Sequence, residues 1–144
     1  LQKLEQDFRF KLRQKDKQTL LGTIGKVKFS LLGYNYPLLE DLPMFKQIPI
    51  ASLPDLAAMK LSTILSRGTK RDLIDIYFLA KKYGLKELFN FYDKKYGNFN
   101  EREVMIKKAL IYFEEADEDE MPDMLVPADW KEIKAWFLNQ IKSL

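Results

Sequence analysis

The sequence contains no cysteine and no histidine. That excludes disulfide scaffolds, Cys/His zinc sites, thiol nucleophiles and every His-based triad at once, leaving carboxylates, lysine, arginine, hydroxyls and backbone to carry any chemistry. No apolar run approaches the roughly 18 residues needed to span a bilayer, and no secretory hydrophobic region opens the chain. The expectation is a cytoplasmic protein with no membrane among its partners. Nor does charge of one sign dominate, since the net charge is only +3.

What is present fits a folded domain. Hydrophobic residues make up 47% of the 144 positions and aromatics 13%, enough bulk for a core and too much for a disordered tail. The charge is unevenly placed: residues 1–30 hold eight Lys/Arg against three acids, whereas 114–123 (EEADEDEMPD) hold seven acids and no base. A mildly basic body with one acidic loop suits a phosphate-bearing ligand, and it suits an ordinary solvated surface equally.

Along the chain, Leu1, Leu4, Phe8 and Leu12 form one stripe at helical spacing, which predicts an amphipathic helix ending near Lys17. Val27, Phe29 and Leu31 alternate with Lys28 and Ser30, predicting a half-buried strand. Gly22 and Gly25 punctuate a shorter strand before it, so a hairpin or meander is expected there. MFKQIPIAS reads as one more short strand, with Pro49 at an edge or near its end.

From Ser52 onward the pattern is helical. Ser52-Leu53-Pro54-Asp55 and Thr69-Lys70-Arg71-Asp72 both have capping-box form, opening helices that run to about Ser66 and to just before Gly84. A third helix covers about Leu85 to Tyr96 and stops at Gly97. A fourth starts near Asn100, with Met105, Ala109, Tyr112 and Phe113 on its inner side. The last carries Ile133, Phe137, Gln140, Ile141 and Leu144 at helical spacing, together with both tryptophans. The fold class is therefore α+β, a small mixed or antiparallel sheet followed by a helical bundle. We expect residues 1–51 (helix and strands) and 52–144 (helical subdomain) to form one compact unit.

The densest polar group spans the first two helices of the bundle: Lys60, Arg67, Lys70, Arg71, Asp72 and Asp75. Lys60 and Arg67, seven residues apart, point within about 20° of each other and differ in height by about 10 Å. On the next helix Leu73, Ile76, Tyr77 and Ala80 make the buried side, leaving Arg71, Asp72 and Asp75 on the other. In one reading the cations meet nucleotide phosphates, Lys as a point charge and Arg as a bidentate fork, while Asp72 or Asp75 orients them or handles a proton. In the other, Lys60 and Arg67 snorkel along an apolar edge, Asp72 only caps its helix, and Arg71 and Asp75 form an i,i+4 surface pair. Spacing alone favours the second. No Gly-rich phosphate loop follows a strand, so neither a P-loop nor a dinucleotide fingerprint is available. Asp117-Glu118-Asp119 has the Asp-x-Asp form, but it sits in a polyacidic stretch that reads as a solvated loop. Trp130, Trp136 and Phe137 have the spacing of core residues rather than of a base-stacking surface.

The segment IASLPDLAAMKLSTILSRGTKRDLIDIYFLAKKYGL resembles the signature of the AbiEii-type nucleotidyltransferase toxins of bacterial abortive-infection and type IV toxin–antitoxin systems. The matching elements are a helical Lys (Lys60), an Arg two turns later (Arg67), and Arg-Asp-x-x-Asp opening the next helix (Arg71, Asp72, Asp75). VKFSLLGYNYPLL and IYFEEADEDEMPDMLVPADW fit the same pattern. The resemblance implies a nucleotidyltransferase fold and transfer of a nucleoside monophosphate from a nucleoside triphosphate to an acceptor, RNA included, with Mg2+. It assigns catalytic roles to Lys60 and Asp72 and substrate contacts to Arg67, Arg71 and Asp75. It also implies a cognate antitoxin as partner.

The family's Gly-Ser and Asp-x-Asp strand, which carries the main metal ligands, would precede Leu1, and Gly22-Thr23-Ile24-Gly25 has no carboxylate pair to replace it. The chain thus reads as the later part of the family domain, processed, trimmed or a fragment, and is expected to be inactive alone. The alternative is a non-catalytic helical module that binds a protein partner such as the antitoxin.

Overall fold

The computed structural model describes residues 6–144, which form two compact units, one ending at Tyr36 and one beginning at Pro37. The first unit is a three-stranded antiparallel sheet in the order β1 (Phe10–Asp16), β2 (Thr19–Ile24), β3 (Val27–Leu32). The predicted helix to Lys17 is therefore corrected. Of residues 6–17 only Gln6–Phe8 are helical, Arg9 follows at φ +52°, and Leu1 and Leu4 lie outside the described residues. Phe10 and Leu12 also alternate with Lys11 and Arg13, and pairing with β2 selects that period of two over the helical one.

Gly25, at φ +61°, supplies the tight β2–β3 turn in which Ile24 pairs with Val27. Gly22 has a different role. A side chain there would overlap both the Phe10 ring and the Lys11 carbonyl, so the glycine lets Phe10 lie buried across β2, edge-on to Phe29 at 5.8 Å. β3 is less covered than its alternation predicts: Val27, Leu31 and Leu32 are all exposed.

The second unit starts with a hairpin, β4 (Met44–Phe45) and β5 (Ile48–Pro49), where a single strand was expected. Lys46 and Gln47 turn it, both at positive φ, as a two-residue hairpin connection requires. Six helices follow: α1 (Leu53–Ile64), α2 (Lys70–Tyr83), α3 (Leu85–Tyr96), α4 (Phe99–Leu110), α5 (Glu114–Glu118) and α6 (Trp130–Lys142). Both expected caps form, with Ser52 accepting from the Asp55 amide and Thr69 from the Asp72 amide. Gly84 (φ +84°) and Gly97 (φ +66°) end α2 and α3 in conformations unfavourable for other residues.

The core of this unit is Leu61 of α1, Leu73 and Ile76 of α2, Leu88 of α3, Ile106 and Leu110 of α4, and Ile133 and Phe137 of α6. Each such side chain contributes about 1.5–3 kcal/mol by burial. On α4 the fully buried residues are Ile106 and Leu110; of the expected inner face, Ala109 and Phe113 pack against the core, whereas Met105 and Tyr112 are exposed. Leu144 lies past the end of α6 and is exposed. Among the described residues no helix is long and apolar enough to cross a membrane.

An ion pair stands inside this core. Lys95 of α3 and Asp55 of α1 meet at 2.5 Å, their side chains 0% and 1% exposed. Asp55 also accepts from Ser52 Oγ (2.6 Å) and the Leu39 amide (3.1 Å), and Lys95 donates to the Pro37 carbonyl (2.6 Å). The pair thus ties the segment entering α1 to α3. Burial by itself would raise the Asp55 carboxyl; the Lys95, Ser52 and Leu39 hydrogen bonds outweigh that and hold it below the usual range.

Candidate functional site

The α1–α2 junction brings four of the five predicted site residues into direct contact. Asp72 occupies the third position of α2, where the Thr69 cap fixes it: Thr69 Oγ1 donates to Asp72 Oδ2 (2.6 Å) and accepts from the Asp72 amide (3.3 Å). Lys60, reaching from α1, lies 2.8 Å from Asp72 Oδ1 and 2.6 Å from Asp75 Oδ2. Arg67 Nε approaches Asp72 Oδ2 at 3.3 Å. Both oxygens of Asp72 are therefore engaged, one by Lys60 and the other by Thr69 and Arg67.

This arrangement corrects two expectations. Asp72 is not on the outward side of α2 but buried, with its side chain only 3% exposed, because two cations and a hydroxyl surround it. No Arg71–Asp75 surface pair forms among the described residues, since Asp75 turns to Lys60 instead. Arg71 is exposed and has no ion-pair partner among the described residues.

The electrostatics follow from this geometry. Burial would raise the Asp72 carboxyl, but hydrogen bonds from Lys60 and Thr69 and the charges of Lys60 and Arg67 bring it below its ordinary value. Burial would likewise lower Lys60, and its two aspartates more than reverse this, holding it protonated to higher pH. Asp72 is thus ionised at neutral pH and a weak base. Its geometry suits fixing two cations rather than carrying a proton.

Lys60, Arg67, Thr69, Arg71 and Asp72 border a cleft of about 500 Å³, closed on the other side by Asp119, Glu120 and Pro122. These last three come from the acidic segment, whose carboxylates are exposed as composition suggests but which is not all loop. Residues Glu114–Glu118 form α5 with Ala116 buried, and Asp119 Oδ2 accepts from the Lys70 amide at 2.9 Å. The Lys70 ammonium, itself buried, donates to the Asp119 carbonyl and lies 5.6 Å from the Trp130 ring. Asp117 accepts from Trp130 Nε1 (2.6 Å) and Lys134 (2.7 Å), bonds that hold its carboxyl below the usual range. The acidic segment is thereby anchored to the first turn of α2 and to α6. Trp130 and Trp136 pack on the core, against Phe113 and Tyr77 respectively.

The Asp55–Lys95 and Lys70–Asp119 pairings escaped the sequence reading, which took Asp55 only as a cap and Asp119 only as part of an acidic loop. For Lys95 a signal existed, because it falls at i+7 and i+3 from Leu88 and Tyr92, inside the buried stripe of α3. The Lys70–Asp119 contact links residues 49 apart and has no local signal.

The chemistry of the donor set bears on a divalent cation. Among the described residues no three carboxylates gather as a metal cage, and Asp72 and Asp75 each face a cation. A lysine ammonium 2.6–2.8 Å from both carboxylates occupies the position a metal would need. These residues do not fit a magnesium site.

A cleft bordered by Lys60, Arg67 and Arg71 at the start of an Arg-Asp-x-x-Asp helix, set in an α+β chain, agrees with a nucleotidyltransferase-like toxin. The family model described as the nucleotidyl transferase AbiEii toxin of the type IV toxin–antitoxin system matches residues 34–143. The chain belongs to this family. It is also 39% identical over 134 residues to aq_aa25 of Aquifex aeolicus (strain VF5), described as an uncharacterized protein, covering 88% of this chain and 61% of that one. No solved structure matches it.

Proposed function

We propose that this chain supplies the triphosphate-holding side of a nucleotidyltransferase, with Arg71 and Arg67 as the principal phosphate contacts. The observation that carries the reading is the convergence of Lys60, Arg67 and Arg71 on one cleft around a carboxylate that two of them contact. In the whole protein an acceptor hydroxyl, in RNA in the version we favour, attacks the α-phosphorus of a nucleoside triphosphate. The bond to the bridging oxygen breaks, the nucleoside monophosphate joins the acceptor, and pyrophosphate leaves.

The residues divide the work by their accessibility. Arg71 is unpaired among the described residues, and the Arg67 side chain is 66% exposed, so both forks can take phosphate oxygens bidentately. Lys60 adds a fixed point charge, and Asp72 is the positioning residue that holds Lys60 and Arg67 in place. On this reading the chain alone binds triphosphate without transferring nucleotide. A cognate antitoxin as partner and a cytoplasmic location accompany the proposal.

Calorimetric titration of the chain with nucleoside triphosphate and with inorganic tripolyphosphate tests it. Both should bind, and Arg71→Ala should weaken both about tenfold. Unchanged affinity in Arg71→Ala would overturn the phosphate assignment; magnesium-dependent transfer of labelled nucleotide by this chain would overturn its inactivity. A second reading, a non-catalytic module for a protein partner, draws on a different observation: the outer strand β3 exposes Val27, Leu31 and Leu32. It predicts antitoxin binding with no triphosphate affinity.

A further inference from the structure

The charged cleft is bordered at Arg71 by a compartment of opposite character. Arg71 and Pro122 also border a second pocket, of about 340 Å³, walled by Ile74 and Phe78 of α2 and by Met124, Leu125 and Val126. Charged side chains dominate the first space, whereas hydrocarbon and one aromatic ring dominate the second. Leu125 is fully exposed and Val126 more than half exposed. Single exposed apolar residues are ordinary, but here they are adjacent and line one pocket together with Phe78.

A nucleotide has the same division, a polyanion at one end and a flat heteroaromatic ring with apolar faces at the other. Resting on the triphosphate reading above, we propose that the Phe78 pocket is the nucleobase subsite. The phosphates lie against Arg71 and Arg67, and the base enters beside Arg71 with one face on the Phe78 ring. Stacking tolerates any base, because every base has a π-face. Asp123, on the pocket wall, offers a carboxylate acceptor to amino hydrogens on the edge of the base. The volume lies within the roughly 300–1,000 Å³ usual for small-molecule sites, and a mostly apolar lining with few polar groups is their usual composition.

The test compares ligands that share phosphates and differ in the base. The full chain and its Phe78→Ala, Phe78→Leu, Phe78→Trp and Leu125→Ser variants are titrated with ATP, GTP, CTP, UTP and inorganic tripolyphosphate. Each variant is first checked for wild-type helical content. Phe78→Ala and Phe78→Leu should weaken at least one nucleoside triphosphate about tenfold and leave tripolyphosphate within about twofold, with Phe78→Trp restoring the loss. Phe78→Leu keeps the bulk without the ring, so it remains informative if Phe78→Ala fails to fold.

Nucleotide affinity unchanged in Phe78→Leu and Leu125→Ser would overturn the base subsite and leave the phosphate site standing. Wild-type chain that binds tripolyphosphate as tightly as every nucleotide would overturn it too. Loss of nucleotide and tripolyphosphate binding alike in Phe78→Leu would show a structural effect and refute the assignment. If none of these ligands bound the wild type, the phosphate reading and this one would be refuted together.

Discussion

Lys60 Nζ lies 2.8 Å from Asp72 Oδ1, so a lysine near the middle of one helix holds the capping carboxylate of the next. The contact spans twelve residues and crosses the Arg67–Thr69 turn, making the geometry of that turn depend on a charge pair. Replacing Lys60 by Met keeps the stem that runs along α1 and removes only the charge. Asp72 then retains Arg67 and Thr69, so the cost is partial, about 1–2 kcal/mol. For a chain of this size that is a fall of roughly 2–4 °C in melting temperature per kcal/mol, read by thermal denaturation. On the phosphate reading, triphosphate affinity also falls, because Arg67 loses part of the framework that orients it.

The Asp55–Lys95 pair should be far less tolerant. Lys95→Met leaves a carboxylate that is 1% exposed without its charge partner, and the expected loss is about 3–5 kcal/mol. The double variant Asp55→Leu/Lys95→Met removes the stranded charge and should recover much of that loss. It still leaves the Leu39 amide and the Ser52 hydroxyl without their acceptor, so a residual cost of about 1–3 kcal/mol remains. Urea denaturation of the three proteins measures both numbers, and a double variant no better than Lys95→Met would contradict the account.

The pH dependence of stability follows from the same groups. Asp55 and Asp72 have folded-state values below the unfolded carboxyl value of about 3.9. Their contribution is therefore present above that value and is lost as pH falls from about 3.9 through their lower folded-state values. Lys60 is shifted upward from an unfolded value near 10.4, so its contribution is present below about that pH and lost as pH rises through the folded-state value. A plateau between roughly pH 5 and 10 with a shoulder on each side is expected in urea midpoints. Asp72→Asn should flatten the acid shoulder.

The local signals explain how much of this was legible beforehand. Both helix caps, Gly84, Gly97 and the α3 boundaries are written in adjacent residues, and each is found where it was read. The five residues proposed for the site stand out for a local reason, the Lys60/Arg67 spacing and the Arg-Asp-x-x-Asp motif, and four of them meet in the structure. What was illegible depends on partners distant in sequence. Phe8 and Leu12 fit a helical stripe as well as Phe10 and Leu12 fit a strand, and only the pairing of Phe10 with Ile24 decides between them. The helical period of Leu73, Ile76, Tyr77 and Ala80 sets Asp72 on the outer side, and Lys60 reverses that from another helix. The acidic stretch reads as a solvated loop until Lys70 and Lys134 supply its partners.

That acidic segment sets the last prediction. The cleft proposed for phosphate is bordered by Lys60, Arg67 and Arg71, and equally by Asp72, Asp119 and Glu120. Asp72 is neutralised in place, but Asp119 and Glu120 put uncompensated negative charge where an incoming polyphosphate must sit. Asp119 also accepts from the first amide of α2, a position where any anion is stabilised by the helix end. Asp119→Asn keeps an acceptor oxygen for that amide and removes the charge. A unit charge about 4 Å away in a water-like medium is worth about 1 kcal/mol, so tripolyphosphate affinity should rise roughly fivefold at low salt. The gain should shrink as ionic strength rises, because screening weakens the repulsion that was removed. Glu120→Gln should act in the same direction and, having no bond to the α2 amide, should leave the melting temperature closer to wild type than Asp119→Asn does. Titration calorimetry at two salt concentrations separates the cases: an affinity that falls in both variants would mean the acidic residues assist the ligand instead of opposing it.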